Sequence, residues 1–218
     1  MILQNIDLLT SNPVEFARLL GIVVFGLIIA ITVHEFSHAY VAYRLGDDTA
    51  RRKGRVSLNP IVHMDPMGTL LLFLVGFGWG KPVPVNTRYL RPPVRWSMAA
   101  VSVSGVFSNF LIATLIALPI RLGPLDNDTI MTLLMYTVQI NVILAIFNLI
   151  PVPPLDGFNI ISSVLPGNVT HRLTPIIRYS PFILLAVIAV DNFFPTNIFG
   201  TLIGWPVNRI TGALLGLW

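Results

Sequence analysis

Residues 20–43 form an unbroken apolar run, LGIVVFGLIIAITVHEFSHAYVAY, and this run restricts the chain to the fold of a membrane protein. A helix that crosses the hydrocarbon core of a bilayer needs about 20 apolar residues, which this run supplies. Of the whole chain, 54% is hydrophobic and only 11% is charged, whereas a soluble domain carries about 25% charged residues. The sequence therefore predicts an integral membrane protein whose first span covers about residues 17–44.

The pentapeptide HEFSH, residues 34–38, lies in the last third of this span. Helix positions i and i+4 share a face, so His34 and His38 can present two imidazoles to one metal ion, with Glu35 beside them as a candidate general base. Ionisable groups at membrane depth are costly unless a partner compensates them, and a bound Zn²⁺ would do so. The alternative is a pair of core histidines that hydrogen-bond to neighbouring helices. The pattern favours a metal-dependent hydrolase that works within the membrane.

A zinc site in this chain must be built from histidine and carboxylate, because the chain has no cysteine. Catalytic zinc sites usually have three protein ligands and keep a fourth position for water. Asp65 and Asp156 are the acids best placed to supply the third ligand. Asp156 is the better choice, because it follows the proline-rich end of the third span and precedes Gly157, although a simple turn aspartate is the alternative there. We therefore predict one zinc ion per chain, held by His34, His38 and Asp156.

Other polar residues are candidates for completing the site. An oxyanion needs a hydrogen-bond donor, and Asn148 at the end of the third span could supply its side-chain amide. Asn141 lies seven residues earlier on nearly the same helix face, where a polar contact between spans is the simpler interpretation. Asn109, in the second span, is a candidate for facing the cavity. His63 could lie near the metal, but a hydrogen bond within its loop explains it equally well.

The distribution of charge predicts the topology of the chain. Nine of the 14 Lys and Arg residues fall between Arg44 and Arg95, and the positive-inside rule places such stretches in the cytoplasm. This puts the active site toward the cytoplasmic side of the cell membrane and makes a nucleic-acid-binding surface improbable. We expect an all-α polytopic membrane protein with about four to six transmembrane helices. After the first, spans are predicted over about residues 96–120, 129–150 and 180–203, the last of them interrupted near Asn192 and Pro195.

The region between the first two spans is predicted to enter the membrane without crossing it. Residues 67–80 are apolar and contain four glycines, but they are too short for a comfortable span and have basic residues on both sides. Residues 55–58 alternate as a short strand would, and prolines keep residues 81–86 extended. We therefore expect a short membrane-associated β or re-entrant region here.

Five motifs follow one another as they do in the site-2 protease family of intramembrane zinc metalloproteases, which the chain resembles. They are HEFSH, GRVSLNPIVHMDPMGTLL, GWGKPVPVN, SGVFSN and NLIPVPPLDG. The resemblance implies that His34, His38 and Asp156 bind zinc, that Glu35 is the base, and that Asn148 contacts the substrate or the oxyanion. It also implies membrane-associated strands beside the active site. The chain is most similar to the compact bacterial or archaeal members, without a PDZ or nucleotide-binding domain.

The resemblance covers roughly residues 20–160. We interpret residues 1–218 as one membrane-embedded domain, with a catalytic core over about 17–160 and C-terminal helices over about 180–218. The expected substrate is a transmembrane protein in the lipid bilayer, and the sequence leaves the oligomeric state open. A metal-ion transporter is the main alternative, and a catalytically inactive scaffold is another. A transport path usually needs polar residues along the whole span, however, whereas here they cluster at one depth.

Overall fold

The computed structural model describes residues 5–75, 78–123, 126–194 and 196–217. These ranges contain nine α-helices, one 3₁₀ turn at Pro60–His63, and no strand. The helices are α1 (Ile6–Ser11), α2 (Pro13–Arg44), α3 (Thr49–Arg52), α4 (Pro66–Val75), α5 (Val94–Leu122), α6 (Asp128–Asn148), α7 (Asp156–Val164), α8 (Gly167–Phe193) and α9 (Ile198–Leu215). The all-α prediction is confirmed.

Within the described residues, α2, α5 and α6 are long and apolar enough to cross a membrane. They correspond to the first three predicted spans, while the predicted total of four to six remains unconfirmed. The predicted fourth span, 180–203, is divided between α8 and α9. The Asp191 side chain stabilises this break, because it accepts hydrogen bonds from the backbone N–H groups of Ile198 and Phe199 at 2.6 and 3.1 Å. It thereby satisfies donors that every helix start leaves free.

The first span is defined by clear signals at both ends. Asn12 caps α2 by accepting a hydrogen bond from the backbone N–H of Glu15, and Pro13 occupies the first helical position, as is common at helix starts. Past the other end, Gly46 has φ +107°, and a Cβ there would lie 2.8 Å from the carbonyl oxygen of Tyr89. Glycine thus allows the chain before α5 to pack closely against the C-terminal end of α2. With 32 residues, this helix is about 48 Å long.

Small residues allow the three spanning helices to approach one another. A Cβ on Gly26 of α2 would lie 2.8 Å from Cδ1 of Ile140 on α6. In lipid, packing rather than the hydrophobic effect holds helices together, so close approach between small residues matters. One buried cluster joins α5, α6 and α9. Its members are Ala113, Ala117, Val138, Val142, Val207 and Leu215.

The segment around α4 returns to its starting point, as a re-entrant hairpin does. With ten residues, α4 is about 15 Å long, half the thickness of the hydrocarbon core. Met64 and Gly80, on either side of the hairpin, form an antiparallel bridge. A Cβ on Gly68 would lie 2.2 Å from the carbonyl oxygen of Trp79, so glycine is required where the returning chain passes α4. This geometry supports entry and exit on one side of the membrane.

The short strand predicted over residues 55–58 is absent from the described chain, which bends there instead. Short polar side chains cause the bend, because they compete for backbone hydrogen bonds. The Ser57 hydroxyl accepts from the backbone N–H of Asn59, and the Asn59 side chain accepts from that of Ile61, both at 3.1 Å. The bent loop turns Arg55 inward, and only 4% of this residue remains exposed.

Candidate metal centre and active site

The three predicted metal ligands meet at one point. His34 and His38 lie one turn apart on α2, Asp156 is the first residue of α7, and all three are buried. The two Nε2 atoms are 3.0 Å apart, and Asp156 Oδ2 lies 3.2 Å from His34 Nε2 and 3.1 Å from His38 Nε2. Ligand atoms about 2.0–2.1 Å from a tetrahedral zinc ion are separated by about 3.3 Å. The triangle of ligand atoms therefore has the size that a zinc ion requires.

Each imidazole directs Nδ1 toward an oxygen outside this triangle, and a neutral imidazole held in this way presents an unprotonated Nε2 to the triangle. His38 Nδ1 is 2.7 Å from the backbone carbonyl oxygen of Val101, which can only accept. His34 Nδ1 is 2.7 Å from the side-chain oxygen of Asn109. Among the described residues, Asp156 Oδ2 has no hydrogen-bond donor. Two nitrogen lone pairs and a carboxylate oxygen at these distances repel one another unless a cation lies between them, so the donor set fits a metal ion.

The orientation of the Asn109 amide is fixed by hydrogen bonds that end on backbone carbonyls. Asn141 Nδ2 donates to the carbonyl oxygen of Thr137 at 2.9 Å, so its Oδ1 faces Asn109. Asn109 Nδ2 donates to that oxygen and to the carbonyl oxygen of Ala30, both at 3.0 Å. The Asn109 oxygen is therefore left to accept from His34. Asn109, a candidate for facing the cavity, instead supports a ligand from behind, and the Asn141 contact joins two spans as predicted.

Asp156 reaches the centre because the chain turns sharply after α6. Prolines in the PVPP sequence, residues 151–154, prevent the helix from continuing. A Cβ on Gly157 would lie 2.2 Å from the carbonyl oxygen of Leu149, so the turn requires glycine. Burial raises the pKa of Asp156, whereas positive charge on the two imidazoles or on a bound cation lowers it below its ordinary value. Asp156 is thus an anion, as a metal ligand must be.

Glu35 lies beside the triangle, and one of its oxygens is held by the loop region. Glu35 Oε2 accepts a hydrogen bond from the backbone N–H of Val83 at 3.1 Å and lies 3.9 Å from Nη2 of Arg55. No hydrogen bond to Oε1 is found in the part of the chain that the structure describes. A general base needs such an oxygen available for a proton.

Comparisons with known proteins place the chain in a family. The model of peptidase family M50 matches residues 116–188, a range that includes Asp156 but not the HEFSH motif. The chain is 38% identical over 197 residues to "Putative zinc metalloprotease YwhC" of Bacillus subtilis, covering 87% of this chain and 86% of the relative. The chain belongs to peptidase family M50. The resemblance to the site-2 protease family is thereby confirmed.

Two less similar relatives also have names that describe a zinc metalloprotease. This M50 peptidase is 24% and 27% identical to proteins named "Putative zinc metalloprotease Rip2" from Mycolicibacterium smegmatis and Mycobacterium tuberculosis. The matches cover 83% and 82% of this chain and 71% and 70% of the relatives. No solved structure matches the chain.

Gly105 brings α5 of this M50 peptidase against the two histidines. A Cβ at this position would lie 2.4 Å from His38 Cε1 and 2.7 Å from His34 Cε1. Ser104 and Ser108 have the spacing of small residues that allows helices to approach closely, but the residue that touches the site is Gly105 between them. The glycine in the SGVFSN motif is visible in the sequence, but its spacing does not show which helix it contacts.

Two other candidate residues form hydrogen bonds away from the triangle. His63 Nε2 donates to the carbonyl oxygen of Ser57 at 2.7 Å, and His63 Nδ1 is 3.4 Å from Arg55 Nη2. Both ring nitrogens are used within the loop region, which favours the loop alternative for His63. Asn148 Nδ2 donates to the carbonyl oxygen of Leu144 on its own helix at 3.0 Å, so its contact with an oxyanion stays a prediction.

Asp65, the rejected candidate for third ligand, caps α4. Its Oδ1 accepts a hydrogen bond from the backbone N–H of Gly68 at 2.8 Å. This is the ordinary role of an aspartate at a helix start. Arg55, by contrast, was missed by sequence reasoning, which treated it as one residue of an alternating strand.

Proposed function

We propose that this M50 peptidase is an intramembrane zinc metalloprotease that hydrolyses peptide bonds within or near the transmembrane segments of other membrane proteins. The observation that carries the proposal is the triangle of two unprotonated imidazole nitrogens and one carboxylate oxygen, with Glu35 beside it. Family membership and the names of the relatives support the same activity. Nothing in them supports the transporter alternative.

His34, His38 and Asp156 would hold one zinc ion per chain. When bound, zinc makes a water molecule acidic enough to ionise near neutral pH and polarises the carbonyl of the scissile bond. Asn109 and the carbonyl of Val101 keep the imidazole protons on Nδ1, so both Nε2 lone pairs remain available to the metal. Such outer-shell partners orient metal-binding histidines and raise their basicity.

Glu35 would act as the general base. Its Oε1 takes a proton from the attacking water and then delivers a proton to the leaving amine. The loop contacts on Oε2 keep the carboxylate in place during both transfers. Asn148 would contact the substrate or the oxyanion after its amide leaves the carbonyl of Leu144.

The orientation in the membrane follows from charge. The basic residues near the HEFSH end of α2 support a cytoplasmic position for the active site in the cell membrane. Because a substrate helix must enter from the bilayer, the peptide bonds within reach are those at the cytoplasmic end of the substrate's span.

Replacing Glu35 with Gln tests the proposal. Without a proton acceptor, cleavage should fall by about 100-fold or more, while the purified protein keeps one zinc per chain by metal analysis. Membranes containing wild-type protein should accumulate shortened single-span proteins, cut near their cytoplasmic ends, that membranes containing E35Q lack. Glu15→Gln is the matched control, because the chain has no other glutamate and Glu15 pairs with Arg18 at the opposite end of α2.

Three outcomes would contradict the proposal. Undiminished proteolysis by E35Q would exclude Glu35 as the base. Metal-ion flux through liposomes that survives E35Q, without proteolysis by the wild type, would favour a transporter. Products cut at the outer ends of their spans would contradict the cytoplasmic orientation.

A further inference from the structure

We propose that Arg55 is a positioning residue, which holds residues 81–83 in the register that places the backbone N–H of Val83 on Glu35. The proposal rests on the role of Glu35 given above. It concerns a buried cation that the metal centre itself does not use.

The Arg55 guanidinium grips two consecutive peptide carbonyls. Its Nη1 donates to the carbonyl oxygen of Pro82 at 3.1 Å, and its Nη2 donates to that of Lys81. The planar guanidinium presents its donors in a fixed fork, so two simultaneous bonds fix both the position and the direction of the acceptor chain. A lysine at this position would supply the charge without the fork.

The prolines of residues 81–84 limit which residues can donate a backbone hydrogen bond to Glu35. Along an extended chain, residues i and i+2 direct their N–H groups to the same edge. Here the N–H of Lys81 donates to the carbonyl oxygen of His63 at 2.7 Å, and the N–H of Val83 donates to Glu35 Oε2 at 3.1 Å. Pro82 and Pro84 have no N–H. A slip of one residue would therefore place a proline opposite Glu35 and remove the hydrogen bond.

Arg55 and Glu35 also carry opposite charges and lie close to each other. The Arg55 side chain is 5% exposed, and Glu35 is the acid found within 4 Å of it among the described residues, at 3.9 Å. A buried cation without a counter-charge is strongly unfavourable. Burial lowers the pKa of Arg55, and the charge of Glu35 opposes that change. The guanidinium thus contacts both the carboxylate and the segment that donates to it.

Arg55→Gln and Arg55→Lys test the proposal, with Arg52→Gln as the matched control. Arg52 lies three residues earlier, at the end of α3, and its side chain is 73% exposed and pairs with Asp48. A small displacement of a catalytic group costs up to about 100-fold in rate, so R55Q should lower kcat by about 10- to 100-fold and leave KM within about twofold. R55K should recover part of kcat, and R52Q should match the wild type. Zinc content and Tm accompany every measurement.

Two further measurements separate positioning from simple loop stability. The peptide covering residues 80–87 should exchange amide hydrogen faster in R55Q than in the wild type, with exchange in α2 unchanged. Val83→Pro removes the N–H toward Glu35, and proline suits an extended chain between Pro82 and Pro84. It should lower kcat, and the loss in the R55Q V83P double variant should be much smaller than the product of the single losses, because the residues act as one unit.

The proposal is overturned if R55Q has wild-type kcat, or if the losses from R55Q and V83P simply multiply. Should R55Q fail to fold, wild-type kcat in both R55K and V83P would overturn it. Failure of the proposed function gives a different result, in which the wild type cleaves nothing. The exchange measurement then still decides whether Arg55 holds residues 81–83.

Discussion

The proposed metal ligands and the proposed base lie next to each other, but they are held by different kinds of structure. His34 and His38 are fixed by buried hydrogen bonds to the neighbouring helix α5. Glu35, between them in sequence, contacts loop residues, namely the N–H of Val83 and the guanidinium of Arg55. Helices packed in a membrane are rigid, whereas loops are the parts of proteins that move. Metal affinity and base position should therefore be separable by mutation.

Asp156→Ala should produce the largest effect, and only on the metal side of the comparison. It removes one of three ligands, so zinc affinity should fall by more than about 100-fold, the upper limit expected for an outer-shell partner, and cleavage should fall to background. Hydrogen exchange in residues 80–87 should stay unchanged, because Glu35 and Arg55 are untouched. Metal analysis after dialysis, together with exchange measurements, checks both expectations.

Asp65→Ala is the control for that experiment, since Asp65 is the other acid considered as a ligand. It should cost only a helix cap, about 1 kcal/mol of stability, and leave zinc bound. Zinc loss in D65A but not in D156A would show that the ligand set is wrong.

Asn109→Leu should produce a smaller effect than Asp156→Ala, and again on zinc binding. Leucine cannot accept the proton of His34 Nδ1, so this imidazole loses its fixed tautomer, and zinc affinity should fall by about 10- to 100-fold. Asn141→Leu leaves Asn109 bonded to the carbonyl of Ala30 and should weaken zinc binding less. A zinc titration of the metal-free proteins ranks the two. Equal zinc affinity in N109L and wild type would contradict the role of Asn109.

The difference between the residues held by helices and the residue held by the loop also explains what the sequence could predict. The spacing within HEFSH determines a local geometry, since i and i+4 share a helix face whatever the rest of the fold does. Asp156 could be chosen because few acids lie at the right depth, and hydropathy located α2, α5 and α6. These inferences need only local geometry, composition or the length of a span.

The rest depends on contacts between distant parts of the chain. Nothing near Arg55 in sequence indicates that it will donate hydrogen bonds to the carbonyls of Lys81 and Pro82. The alternating pattern around it predicted a strand instead. That strand is absent because Ser57 and Asn59 bend the backbone. The sequence predicts the interruption of the fourth span near Asn192 and Pro195, but not the hydrogen bonds that stabilise it, which the Asp191 side chain accepts from residues seven and eight positions later.

Gly105→Ala should have the smallest effect, and it tests whether α5 is as rigid as the comparison requires. The new Cβ would meet His38 at 2.4 Å, and overpacking of this kind costs about 1–3 kcal/mol. Gly21→Ala is the matched control, because Gly21 is also helical but a Cβ there has nothing within 4 Å. G21A should gain about 0.5–1 kcal/mol from helix propensity alone. G105A should lose that gain and bind zinc about tenfold more weakly, because 1.4 kcal/mol corresponds to a factor of about ten. If G105A matches G21A in both Tm and zinc affinity, α5 yields easily, and the metal side is no more rigid than the loop that holds Glu35.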